Sequence, residues 1–387
     1  MLPVSERLEK LPPYLFAEID RLKKKLLTQG HDVISLGVGD PDEPTFPHIV
    51  GACQQALKNP RYHQYPLGQG SILFRKAIAS YYEKYNNVSL DPEEEICVLL
   101  GSKEGIAHLP MSILNPGDYS LVPEPGYPVY HIGTMLAGGN TFFLPLKEEN
   151  SFLPDISSVP AAVLEKTKIL WLNYPNNPTS VLAPAEYLQE VINFCRKKKI
   201  VIAYDAAYQE IYYEKRPVSF LSLPGAREIG VEFHSLSKTY NMTGWRIGWV
   251  CGNRQIVKAV ARLKENIDSG TFEAIQVAGT VALTGSQNYV QKMRSIYRKR
   301  RDLFTSCVRN IGWSAKIPEG TFYYWVRVPS GDSMSAAKEL LEKAHVVATP
   351  GIGFGPSGEG YIRFSLTLPE ERLLQAIQRM ENLWKKK

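Results

Sequence analysis

Little in the sequence marks a metal protein, a disulfide framework or a membrane span. Its five cysteines, Cys53, Cys97, Cys195, Cys251 and Cys307, lie more than forty residues apart and form no CxxC pair. That spacing offers neither a zinc site nor a set of staples, and it suits a reducing compartment. The seven histidines contain no HxxH or HExxH pattern, so no metal is expected. No apolar run approaches the roughly 18 residues of a membrane helix. The opening MLPVSERLEKLPPYLF lacks an apolar signal core, so the expectation is a cytoplasmic protein with no membrane partner. Charge of one sign is scarce too, with a formal net charge of +6 over 387 residues. The basic runs Lys23–Lys25, Lys197–Lys199, Arg298–Arg301 and Lys385–Lys387 carry no interleaved aromatics. They read as solvated faces, and no nucleic-acid partner is expected.

What is present is an ordinary globular composition, 44% apolar and 22% charged, in a chain long enough for two domains. No fixed-period repeat appears. PHIVGACQQALKN and SILFRKAIASYYEKY have apolar residues three and four apart, as amphipathic helices do. EICVLLG, YSLVPEP, NTFFLPL, KILWLNYP and KIVIAYD are short β-prone runs closed by Gly, Pro, Asn or Asp. Such alternation predicts an α/β fold with a mostly parallel sheet covered on both faces. Ligands of such sheets sit beyond the carboxyl ends of the strands, so Gly101, Asn177 and Asp205 are expected to converge. After about residue 280 the texture changes to a long basic helix, GTFYYWVRV, another helix, GYIRFSL and a final helix. Three parts follow: a large domain over 39–280, a smaller α+β domain over 281–387, and an N-terminal segment, 1–38, joining the latter. Gly353-Phe-Gly355-Pro-Ser-Gly358 matches GxGxxG, but it contains proline and runs into a strand, where a dinucleotide fingerprint must open a helix.

Several stretches carry reactive groups. HSLSKTYNMTGWRIG, residues 234–248, sets Lys238 beside Ser235 and Ser237, with Arg246 eight residues on; together they could cradle a phosphate dianion. Asp205 ends a strand, where an aspartate often merely caps the next helix. Asn177 stands in NYPNNPT, which by itself is a turn signal. Gly101-Ser102-Lys103 opens a helix whose first amides can bind an anion. An amine, a phosphate cup, a carboxylate and Asn/Tyr donors suit one ligand, pyridoxal phosphate.

Over essentially its whole length the sequence resembles the fold-type I pyridoxal-phosphate aminotransferases, with the aspartate-aminotransferase-like fold. Within that family it is most similar to the LL-diaminopimelate branch. SKTYNMTGWRIGW, NYPNNPT, DAAY, PEPGYPVY, GVGDPDEPT and GSKEGIAHLP carry the resemblance. It implies that Lys238 is the covalent anchor and the base, that Asp205 pairs with the ring nitrogen, and that Asn177 and Tyr208 bond the ring oxygen. Tyr127 would stack on the ring; Ser102, Lys103, Ser235, Ser237 and Arg246 would hold the phosphate. Arg363, Gly39 and Tyr14 would face the substrate, as would Tyr127, Asn177 and Lys103. Tyr65 in YPLGQG resembles the tyrosine that reaches the neighbouring subunit's phosphate, which implies a homodimer with shared sites. The implied substrates are an amino acid and a 2-oxo acid, with LL-diaminopimelate and tetrahydrodipicolinate foremost. An asparagine that the family uses downstream has no clear counterpart in NIDSGTFEAIQ, where Asp268, Ser269 and Glu273 stand. The alternatives are a broader aspartate, alanine or aromatic aminotransferase, or a lyase on the same fold.

Overall fold

The structure, a computed structural model, describes residues 4–9, 11, 17–66 and 68–384. Its strands are β1 Ile34–Ser35, β2 Ile96–Leu99, β3 Tyr119–Glu124, β4 Asn140–Pro145, β5 Thr167–Asn173, β6 Val201–Asp205, β7 Gly230–Ser235 and β8 Gly248–Gly252, followed by β9 Tyr323–Arg327, β10 Val346–Val347, β11 Thr349–Pro350 and β12 Tyr361–Ser365. Seven of them form a sheet in the order β2-β8-β7-β6-β5-β3-β4. Only β8 runs against the rest. The five runs expected as strands are β2 to β6. β7 and β8, which flank the Lys238 motif, escaped the pattern reading.

β2, β3, β5 and β6 are buried on both sides, which explains their unbroken apolar runs; β4, at the edge, is largely exposed. Alternate residues serve opposite faces. Leu170, Leu172, Ile202 and Tyr204 enter one core, while Ile169, Trp171 and Ala203 enter the other. The expected helices Pro47–Ala56 and Ile72–Asn86 cover the first face. A separate core gathers Ile19, Leu26, Ile34 and Leu36 from the N-terminal part with Leu340, Phe364, Leu373 and Met380. It surrounds the antiparallel sheet β11-β12-β9, and β1 pairs in parallel with β10.

The 23-residue helix Asn288–Asn310 spans about 35 Å at ~1.5 Å per residue and links the cores. Its first half gives Val290, Met293 and Tyr297 to the large one; its second half gives Phe304, Cys307 and Val308 to the other. This corrects part of the charge reading. Arg300 and Arg301 are buried, because helical spacing turns them inward. Arg300 forms a two-pronged pair with Asp42 at 2.7 and 2.8 Å, and Arg301 meets Glu214 at 3.3 Å. The GxGxxG stretch is also explained without a nucleotide. A β-carbon on Gly355 (φ +112°) would lie 2.4 Å from Glu124 Oε1, and Ser357 donates to Glu124 Oε2 through both its amide and its hydroxyl. The glycines let this loop press against the end of β3.

Candidate active site

The carboxyl ends of β5, β6 and β7 open into a cavity of about 540 Å³. It is lined by Gly39, Ser102, Lys103, Tyr127, Asn177, Asp205, Tyr208, Ser235, Ser237, Lys238, Arg246 and Arg363. Tyr65 does not line it; the ring is 89% exposed. Tyr14 lies outside the described residues.

Each wall follows from local structure. β5 ends at Asn173, whose amide nitrogen donates to the Asp205 carbonyl at 2.8 Å. Its amide oxygen accepts from the Asn177 backbone at 2.8 Å. Asn173 thus ties one strand end to the next and to the NNPT loop. In that loop Asn176 Oδ1 accepts from both the amide and the hydroxyl of Thr179, the local bonding that makes Asn a turn residue.

Asp205 points into the interior. Its Oδ2 accepts from the Tyr130 hydroxyl at 2.7 Å and its Oδ1 from the Ala207 amide at 3.1 Å. Burial raises its pKa above the usual carboxylate value, and those two donors oppose the shift. Tyr130 is fixed in turn by stacking on Trp171, 4.8 Å between centroids.

Lys238 lies in the short helix Leu236–Thr239, capped by Ser235, whose hydroxyl accepts from the Ser237 amide. Its Nζ donates to the Gly39 carbonyl at 2.8 Å. Burial lowers the Lys238 basicity, aided by the Arg363 and Arg246 charges and opposed by Tyr323 and Asp40. The neutral amine, the nucleophilic and basic form, therefore comes closer to physiological pH.

The helix Ser102–Ile113 starts without a side-chain cap, because its N-cap is Gly101 at φ +78°. A β-carbon there would stand 2.4 Å from Arg246 Nη2. Glycine at 101 lets the guanidinium lie against the helix start, where uncapped amides also attract anions. Arg246 itself holds the left-handed backbone (φ +53°), which costs a non-glycine residue roughly 1–2 kcal/mol. An arginine and a helix start thus meet in one corner of the cavity, an arrangement able to attract an anion.

Arg363, on β12, donates to Asn177 Oδ1 and to the Gly37 carbonyl, each at 2.8 Å. Its Nε is buried without a hydrogen-bond partner, and the side chain lines the cavity, where a guanidinium suits an acidic ligand. Motif reading missed Asn173, Tyr130 and Tyr323. Tyr130 could have been noticed three residues after Tyr127, on the same helical approach. Asp268 and Glu273 do not line the cavity. Asp268 Oδ2 pairs with the buried Lys264 ammonium at 2.9 Å, which also meets Glu104 at 3.1 Å.

A model of the family "Aminotransferase class I and II" matches residues 31–380, and the chain belongs to that family. The LL-diaminopimelate aminotransferase of Aquifex aeolicus is 50% identical over 385 residues, 99% of this chain and 100% of that one. Substrate-bound BacF from Bacillus subtilis has 38% identity and a TM-score of 0.95, covering 99% and 98% of the two chains. A Thermus thermophilus aspartate aminotransferase variant has 30% identity and a TM-score of 0.93, covering 99% and 100%; the fold is aspartate-aminotransferase-like. Enzymes of this family depend on pyridoxal phosphate and act on amino acids and 2-oxo acids. The cavity fits that cofactor: a buried carboxylate without a cationic partner among the described residues, a lysine of lowered basicity, and an anion cup at Gly101 and Arg246. No described helix is long and apolar enough to cross a membrane.

Proposed function

We propose that this chain transfers an amino group from LL-diaminopimelate to 2-oxoglutarate, or the reverse with tetrahydrodipicolinate, and serves lysine biosynthesis. The observation that carries the reading is 50% identity across the full length of the Aquifex aeolicus relative. The cavity suits a substrate with charges at both ends. Arg363 offers its guanidinium to one carboxylate, and Lys103 and Asp20 bring opposite charges to the same lining. An amino-donor panel with 2-oxoglutarate tests it. LL-diaminopimelate should exceed aspartate, alanine and aromatic donors in kcat/KM by at least about 10²-fold, since a site that leaves buried polar groups unpaired can discriminate by up to roughly 10⁴–10⁵-fold. Equal rates would favour a broad-specificity transaminase, and ammonia release would favour a lyase.

When bound, the cofactor supplies an electrophilic carbon and an electron-withdrawing ring. The chain's residues do the rest. Asp205 holds a proton on the ring nitrogen. Asn177 would present its NH₂ to the ring oxygen, because its Oδ1 already accepts from Arg363, and Tyr208 would donate its hydroxyl to the same oxygen. Tyr127 would stack on the ring, and Ser102, Lys103, Ser235, Ser237 and Arg246, which line the same cavity, would hold the phosphate. Lys238 Nζ would hold the cofactor and, once freed, would move the proton from the substrate Cα. Gly39, whose carbonyl holds Nζ at 2.8 Å, turns its backbone to the substrate carboxylate gripped by Arg363. Closing 39–280 upon the rest of the chain would exclude water from these steps.

The same reading requires two copies. Tyr65 is 89% exposed; a second subunit would cover it and receive its hydroxyl at the phosphate. The protein should sediment as a dimer. Tyr65→Phe should weaken pyridoxal-phosphate affinity about 10-fold, as expected for one hydrogen bond to a charged group. A fully active monomer would refute the shared site.

A further inference from the structure

Tyr323 belongs to none of the motifs, yet it sits where the cavity's walls meet. It is 3% exposed and occupies the first position of β9, paired with Ser365 of β12. Its hydroxyl lies 3.0 Å from that of Tyr208. The Arg363 guanidinium carbon stands 4.1 Å from its ring centroid. A β-carbon on Gly39 would come within 2.0 Å of the Tyr323 oxygen, so that oxygen rests on the Gly39 backbone and only glycine admits it. One phenol therefore touches the tyrosine beside the ring, the arginine for the carboxylate, and the segment whose carbonyl holds Lys238.

We propose that Tyr323 is a positioning residue that sets how strongly Tyr208 donates to the cofactor's ring oxygen. The inference rests on the proposed role of Tyr208 and goes one residue beyond it. Two phenols in contact share a single hydrogen between them. If Tyr208 spends its proton on the ring oxygen, its own oxygen must accept from Tyr323. The two hydroxyls then form a directed chain, and each bond polarises the next. Gly39 holds the outer phenol at the right height, and the Arg363 stack keeps its ring from swinging.

The charged and titratable groups around the pair are Asp205 and Arg363 beside Tyr208, with Lys238, and beyond it Asp40 and Arg246, near Tyr323. Burial raises the Tyr208 pKa well above the ordinary phenol value, with Tyr323 adding to the shift and Arg363 opposing it. Tyr208 thus remains a protonated donor throughout the working range. Stronger donation favours the form of the cofactor that carries negative charge on the ring oxygen. It therefore lowers the pH midpoint of the holoenzyme's visible absorbance change, and its loss raises that midpoint.

The experiment is a spectrophotometric pH titration of the holoenzyme, with cofactor content measured alongside. Tyr323→Phe deletes only the hydroxyl and should move the midpoint upward by roughly 0.3–1 pH unit. Tyr208→Phe should move it further. The double variant should match Tyr208→Phe alone, because the outer phenol acts through the inner one. An unmoved midpoint in Tyr323→Phe with a shifted one in Tyr208→Phe would overturn the proposal and leave the Tyr208 role standing. If neither moves, the Tyr208 role itself fails. An additive double variant would mean that Tyr323 acts by another route, which also overturns it. Should Tyr323→Phe not fold, Gly39→Ala keeps both hydroxyls and displaces the outer one; it should shift the midpoint in the same direction, and no shift would count against the proposal equally.

Discussion

Lys238→Ala should lose at least about 10⁴-fold in kcat, the upper range of what one positioned general base supplies, before the loss of covalent anchoring is counted. The variant should keep measurable affinity for pyridoxal phosphate, since the anion cup at Gly101, Ser235 and Arg246 does not depend on the amine. The pH-dependent visible absorption should vanish with the covalent bond. Lys238→Arg is the sharper form of the test. A guanidinium retains the positive charge and can reach the Gly39 carbonyl, but it cannot be deprotonated within a protein. If charge alone mattered, arginine would rescue; if the role is nucleophile and proton carrier, arginine should be as poor as alanine. Single-turnover rates with LL-diaminopimelate distinguish the two, and turnover near that of the wild type in either variant would refute the role. The lowered basicity of Lys238 supports this outcome. Burial is its main cause, and a surface lysine would show no such effect.

The Lys238 motif was readable because its chemistry is local: two hydroxyls, an amine and an arginine within twelve residues. The strands around it were harder to read. GVEFHS and GWVCG became β7 and β8, but their glycines, and the histidine and serine in the first, dilute the apolar run on which strand reading depends. The glycines serve packing: a β-carbon on Gly248 would lie 2.4 Å from the His234 carbonyl. Asp205, Asn177 and Gly101 were legible because a parallel sheet gathers its strand ends at one edge. Tyr323 was not. In GTFYYW two adjacent tyrosines must face opposite sides of a strand, and nothing local says which one meets the cavity. Tyr324 went to the smaller core; Tyr323 went to the site. Arg300 and Arg301 misled for the opposite reason, because a run of like charge reads as solvent-facing unless its partners, here Asp42 and Glu214, are known to be near. Long-range partners such as these, and Tyr130 for Asp205, are fixed by tertiary packing, which the spacing of residues along a chain does not encode.

Asp205→Asn should show the largest separation between stability and function. An amide cannot hold a proton on the ring nitrogen by charge, so kcat should fall by at least about 10²-fold, the lower range for a group that governs proton chemistry. The cofactor should be largely retained, because the phosphate cup and Lys238 are untouched. The cofactor-free protein should respond in the other direction. Burial raises the Asp205 pKa in the folded chain above its ordinary value of 3.8, so the folded state binds more protons than the unfolded one between those two values. Stability therefore declines as pH rises through that interval, and the cost is fully present above it. Asparagine has the same shape and no charge; its single oxygen can accept from the Ala207 amide, and its NH₂ can donate to the Tyr130 oxygen once that hydroxyl turns its own proton away. At neutral pH the cofactor-free variant should melt at least about 2 °C higher than the wild-type protein. That advantage should shrink as pH falls toward the ordinary carboxylate range, where the wild-type side chain is protonated too. Calorimetry of both cofactor-free proteins from acid to neutral pH, beside kcat of both holoenzymes, tests the two halves separately. Near-normal turnover would remove Asp205 from the ring nitrogen. A lower melting temperature at neutral pH would mean that the carboxylate is held by more than Tyr130 and one backbone amide.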